Sequence, residues 1–163
     1  MVDRRKALIA VAVLAAAAGL WWLLKRPSAE EQIRAQLDAL CQLVSKAADE
    51  KPVQSAFKGH ALPPLFANPV EIRGDAGPVA GVHTPTGLAS LIAGGRASLQ
   101  AFELSYTDLT VEVRPPDDAD ISFTGRVKSG TEVTYRQIAG HLRRVEGAWV
   151  FSTFNVGNVM KGQ

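Results

Sequence analysis

The sequence predicts an α+β fold, with helices covering one face of a curved antiparallel sheet, preceded by one transmembrane helix. Three observations predict it. Residues 7–24 (ALIAVAVLAAAAGLWWLL) form an uncharged run of 18, close to the ~20 residues that cross a ~30 Å hydrocarbon core as a helix. Apolar residues then recur at helical spacing in two stretches before residue 100. From Phe102 onward the apolar period changes from 3.6 to two, the signature of half-buried strands.

Arg4, Arg5 and Lys6 precede the uncharged run, Trp21 and Trp22 lie near its far end, and Lys25, Arg26 and Pro27 follow it. Indole rings favour the headgroup layer, and proline stops the helix. A cleaved signal peptide is the alternative, with Ala15-Ala16-Ala17 as a small-residue cleavage site. Strongly apolar residues continue past those alanines to Leu24, which favours an uncleaved signal anchor. The chain thus divides into a cytoplasmic tail (1–6), a transmembrane signal anchor (7–24) and a soluble domain (25–163). The slight excess of basic residues before the run places the soluble domain outside the cytoplasm, in the periplasm if the cell has two membranes.

Ser28 and Glu31 have capping-box spacing, and Ile33, Leu37, Leu40, Cys41 and Val44 recur at helical spacing, predicting a helix over 28–48. Pro52 opens a short helix through about His60, and Pro63-Pro64 breaks it. Val70 and Ile72 fit a short strand, and Gly74, Gly77, Pro78 and Gly81 imply turns. Thr84-Pro85-Thr86 introduces another helix carrying Leu88, Leu91, Ile92 and Leu99.

Phe102, Leu104 and Tyr106 alternate on one parity, and Leu109, Val111 and Val113 on the other. A parity change without a Gly/Pro break predicts a β-bulge near Thr107-Asp108. Pro115 to Asp118 turn the chain into a strand with Ile121, Phe123 and Val127. After Ser129-Gly130, residues 131–145 form a long strand whose apolar parity also switches, so it bends. Glu146-Gly147 closes a tight hairpin before Trp149, Phe151 and Thr153. The result is a meander of four long antiparallel strands.

The chain carries 18 Lys/Arg and 16 Asp/Glu. Removing the five basic residues and one acid of 1–26 leaves 13 and 15, so residues 27–163 are slightly acidic. That argues against nucleic acid as a partner, which needs a concentrated basic surface. The single Cys41 excludes an intramolecular disulfide and reads as a small buried hydrophobe.

A helix followed by a bent sheet that ends in Leu142-Arg143-Arg144-Val145-Glu146-Gly147-Ala148-Trp149-Val150-Phe151 resembles the nuclear transport factor 2-like (SnoaL-like, ketosteroid-isomerase-like) superfamily. The last hairpin of that superfamily commonly reads LRRVDGxWxI. The resemblance spans residues 28–158 and implies a cone: helices packed inside a curled sheet, with a pocket at the open end. Superfamily members include small-molecule enzymes, ligand binders and assembly modules. The periplasmic scaffold component of type IV secretion systems is similar in layout, with a short tail, one membrane helix and this fold. The Pro/Gly-rich segment 52–85 departs from the usual pattern.

Enzymes of this superfamily use an Asp, Glu or His base with a Tyr or Asp donor on the pocket wall, chemistry that needs titratable groups converging in a low-dielectric cavity. His83, Tyr106, Asp108, Tyr135 and Arg136 are the candidate ligand-binding residues. Asp108 is included because bulges re-aim side chains, and Arg136 because it suits an anionic ligand. His60 and His141 read as solvated, no histidine has a partner at metal-ligand spacing, and Asp117-Asp118-Ala119-Asp120 lacks the Gly and terminal Glu of a calcium loop. There is no phosphate loop and no nucleophile elbow. The expectation is a membrane-anchored, non-catalytic interaction or ligand-binding module of the bacterial cell envelope, without cofactor or metal. Its expected partners are the bilayer, a second copy or an envelope complex, and a small hydrophobic ligand. The alternative is an isomerase, cyclase or dehydratase using the cone.

Overall fold

The computed structural model describes residues 4–161, and their side chains apart from 4–10, 22–24 and 160–161. Helix α1 (Arg4–Leu24) comes first, and every described side chain on it, from Val11 to Trp21, is exposed. The predicted tail begins, and the predicted span 7–24 runs at both ends, outside the described side chains. Among the described residues no helix is long and apolar enough to cross a membrane. Lys25 holds its ammonium 4.9 Å from the centre of the Trp21 ring.

Helix α2 (Ala29–Val44) starts where the capping box places it. The Ser28 hydroxyl accepts from the Glu31 amide and the Glu31 carboxylate accepts from the Ser28 amide. It stops four residues short of the expected 48, because the Ser45 backbone turns extended and Lys46 pairs with Phe102 instead. Helices α3 (Pro52–Ala61) and α4 (Pro85–Ser98) follow their proline starts, with Thr84 capping α4 through the Gly87 amide.

Six strands form one sheet in the order β2-β1-β6-β5-β4-β3. They are β1 (Phe66–Gly74), β2 (Gly81–His83), β3 (Glu103–Arg114), β4 (Asp118–Ser129), β5 (Glu132–Val145) and β6 (Ala148–Lys161). The predicted four-strand meander is β3 to β6. The wholly antiparallel expectation needs correction: β1 runs parallel to β6 and carries β2 on its free edge, so the sheet is mixed. This pairing joins segments some 80 residues apart, and alternation within either segment does not report it.

Register shifts fall where parity changes. Between Thr107 and Thr110 the β3–β4 ladder slips, and Asp108 there has φ 57°. Strand β5 shifts against β6 between Arg136 and Ile138, and again between His141 and Leu142. At the second shift Ser152 is the extra residue, its hydroxyl donating to the His141 carbonyl at 3.0 Å. One bulge therefore turns Trp149, Phe151 and Phe154 all inward, although strict alternation would send Phe154 outward. Glu146 and Gly147, at φ 51° and 82°, make the predicted tight turn.

The core lies between this inner face and the helices. Ile33, Leu37 and Leu40 of α2 and Leu88 of α4 pack with Val70, Ile121, Leu142 and Phe151. Gln36 ties α2 to β6 by donating to the Trp149 carbonyl at 2.9 Å.

Candidate functional site

The core is not filled. Between α2, α4 and the inner face of the sheet lies a cavity of about 190 Å³. Leu37, Leu40, Cys41 and Val44 face it from α2, and Leu88 and Ile92 from α4. Phe66, Ile72, Leu104, Phe123, Ile138, Phe154 and Val156 close it from the sheet, with Val79 between β1 and β2. All these side chains are apolar except the thiol of Cys41. Burial, then the charge of Asp38, pushes that thiol up to about 11, so it stays protonated and unreactive at neutral pH. A hollow of this size and apolar lining suits small apolar molecules, as engineered cavities of about 150 Å³ do.

None of the five residues proposed from sequence lines this cavity. Tyr106 comes nearest. Its ring packs edge-on against Phe123 at 5.9 Å, and its hydroxyl donates to Asp38 Oδ1 at 2.6 Å, latching β3 to α2. Burial, then that hydrogen bond and the Asp38 charge, raises the phenol to about 12. Asp108 is exposed at the bulge, where it accepts from the Thr107 hydroxyl at 3.0 Å. Arg136 is bound to the turn after β1, donating to the Asp75 carbonyl and to Asp75 Oδ2 at 3.0 Å. His83 Nε2 lies 2.9 Å from the Val79 carbonyl. Tyr135 is half-buried on β5, opposite Arg126 and Met160 in the ladder. Asp108, His83 and Arg136 serve edges and turns of the sheet, and no two of the five residues converge in the cavity.

Sequence reasoning missed a buried ion cluster at the C-terminal end of α2. Arg96 and Glu50 side chains are each 2% exposed and pair directly, and Lys58 reaches the other carboxylate oxygen at 2.8 Å. Burial alone would raise the Glu50 carboxyl, but the Lys58 hydrogen bond and the charges of Arg96 and Lys58 outweigh it and hold the carboxyl below its ordinary range. Lys58 and Arg96 also donate to the Ser45 carbonyl, and Lys46 donates to the carbonyls of Arg96 and Leu99. Three separate segments supply these residues, so no local spacing announces them.

His141 sits on the β4–β5 ladder between two carboxylates, Asp120 at 2.8 Å and Asp118 at 3.2 Å. The acids face opposite nitrogens of the ring and share no common point. Among the described residues no group of three His, Cys, Asp or Glu is arranged to hold a metal ion.

No protein-family model matches the sequence, and no curated protein is similar to it. Solved structures do match in shape. A hexachlorocyclohexane dehydrochlorinase superposes with TM-score 0.60 at 13% identity, over 81% of this chain and 87% of the other. An NTF2-like protein of unknown function from Pseudomonas aeruginosa gives 0.59 at 16%, over 78% and 95%. A cystatin-like protein of unknown function from Nostoc punctiforme gives 0.60 at 10%, over 79% and 91%. At such identities the likeness is one of fold, and fold does not carry function. The six-stranded mixed sheet packed on α2 to α4 is the nuclear transport factor 2-like, or cystatin-like, fold.

Proposed function

We propose that this chain is a non-catalytic binding module of the bacterial cell envelope, tethered by its N-terminal helix, whose cavity takes a small apolar ligand or the apolar part of a larger one. The observation that carries the reading is the cavity itself, about 190 Å³ with no charged side chain on its wall. An empty apolar void of that size costs stability, and a ligand that fills it recovers the lost contacts.

The tether rests on the uncharged run 7–24 and on the exposure of every described side chain of α1. An apolar helix that buries none of these side chains against its own domain needs another apolar medium. Trp21 and Lys25, stacked at its end, suit the boundary between hydrocarbon and water. In this reading α1 crosses the inner membrane once and the domain stands outside the cytoplasm, where it acts as a homodimer or within an envelope complex.

The enzymatic alternative draws on the fold, since one similar structure is a dehydrochlorinase. The dispersal of His83, Tyr106, Asp108 and Arg136 away from the cavity counts against a reaction run by those groups.

Native mass spectrometry of the full chain, released from detergent, tests the binding reading. A retained small-molecule mass that disappears in a cavity-filling variant is the expected result. A bare chain that also fails to take up naphthalene added in excess overturns it.

A further inference from the structure

Cys41 and Leu104 line the cavity from within and also line two surface hollows outside it. They therefore mark where the cavity adjoins these hollows, where α2 meets the start of β3. Two latches bracket that point: the Tyr106 hydroxyl on Asp38 at 2.6 Å, and the Ser45 hydroxyl, which accepts from the Leu104 amide at 2.8 Å.

The larger hollow, about 540 Å³, has Lys46 and Lys58 on its wall, with Ser45 between this wall and Arg96. Lys46 and Lys58 face this hollow and Arg96 lies behind it, with the carboxylates of Glu50 and Glu103 beside them and Asp38 on the adjoining hollow. Arg96 is 2% exposed, and its Nε and Nη1 are buried without a hydrogen-bond partner among the described residues. Glu50 alone is shared by Arg96 and Lys58, so one carboxylate answers two cations, and two Arg96 donors stay unspent.

We propose that the ligand is an amphiphile with an anionic head, a carboxylate or phosphate ester. Its apolar tail enters between α2 and β3 at Cys41 and Leu104. Its head rests against Lys46 and Lys58, in the field of Arg96. This rests on the cavity binding an apolar group at all, and adds the head's charge and the route of entry.

The test uses the full chain in phosphatidylcholine nanodiscs, with methyl NMR signals of Leu88 and Ile138 as the readout and octanoate and octanol as probes at matched free concentration. Octanoate is expected to bind at least about 5-fold tighter than octanol at low salt, with the preference shrinking as salt is raised. Gln42, exposed and lining both hollows, makes no hydrogen bond in the ion cluster. Gln42→Glu should weaken octanoate about 5-fold and leave octanol unchanged. Phosphatidylglycerol nanodiscs without probe distinguish the source. Movement of the same methyls there assigns the head to a bilayer lipid, and silence there with octanoate binding assigns it to a soluble amphiphile. Equal affinity for the two probes overturns the anionic head while the cavity reading stands. Methyls that respond to neither probe overturn both.

Discussion

Val44→Phe is the perturbation that best separates a binding cavity from a packing fault. Val44 lies at the end of α2 with its half-buried side chain on the cavity wall. A phenyl ring that takes up about a quarter of the 190 Å³ void recovers about 1 kcal/mol, at roughly 24 cal/mol per Å³. For a domain of this size that raises Tm by about 2–4 °C. The same ring occupies the ligand's place. Wild-type chain should therefore gain about 2.7 kcal/mol with ligand at 100 times its Kd, and the variant, with less room for the ligand, should gain measurably less. Scanning calorimetry with and without octanoate reads both quantities. If Val44→Phe instead loses the 1–3 kcal/mol typical of overpacking, the space does not exist. If it is stabilised yet still responds fully to ligand, the ligand binds elsewhere.

Further predictions concern the elements that frame the cavity. Glu50→Gln leaves Arg96 buried without its counter-charge and should cost about 3–5 kcal/mol in urea denaturation, whereas Glu50→Leu combined with Arg96→Met should recover most of the loss. Because the Glu50 carboxyl is held below its ordinary value, its contribution is complete above ~4.3 and is lost as pH falls through the lowered native value. Acid unfolding of Glu50→Gln should accordingly be flatter over that range. Tyr106, raised to about 12, stabilises the fold in its neutral form, so this contribution is present below the ordinary ~10 and disappears as pH rises through about 12. Absorbance at 295 nm should show that late ionisation, and Tyr106→Phe should remove it. Gly74 has φ 81°, and a Cβ there would run into the Val156 carbonyl on the neighbouring strand. Gly74→Ala should lower the urea midpoint by the equivalent of about 2 kcal/mol or more without changing the slope.

Features that depend on neighbouring residues were legible in the sequence. The Ser28–Glu31 cap, the proline starts of α3 and α4 and the Glu146-Gly147 turn are each written within a few residues. The bulge at Asp108 was legible because apolar parity on either side of it disagrees. The bulge at Ser152 was not, because Trp149 to Phe154 are apolar on both parities and either face could be the buried one. The parallel β1–β6 pairing and the Arg96–Glu50–Lys58 cluster join distant segments, and no local spacing encodes such contacts. The apolar cavity was not legible for a related reason. Polar residues on strands were weighed as ligand contacts, whereas the cavity is bounded by the same apolar stripes that read as ordinary core.

The measurement that bears most directly on the central claim is a crystal structure of the chain under xenon pressure. Xenon enters dry apolar cavities and not water-filled ones. Xenon density is expected among Leu37, Leu88, Phe123 and Phe154, without ordered water. A collapsed cavity, or one filled by water chains, would contradict it.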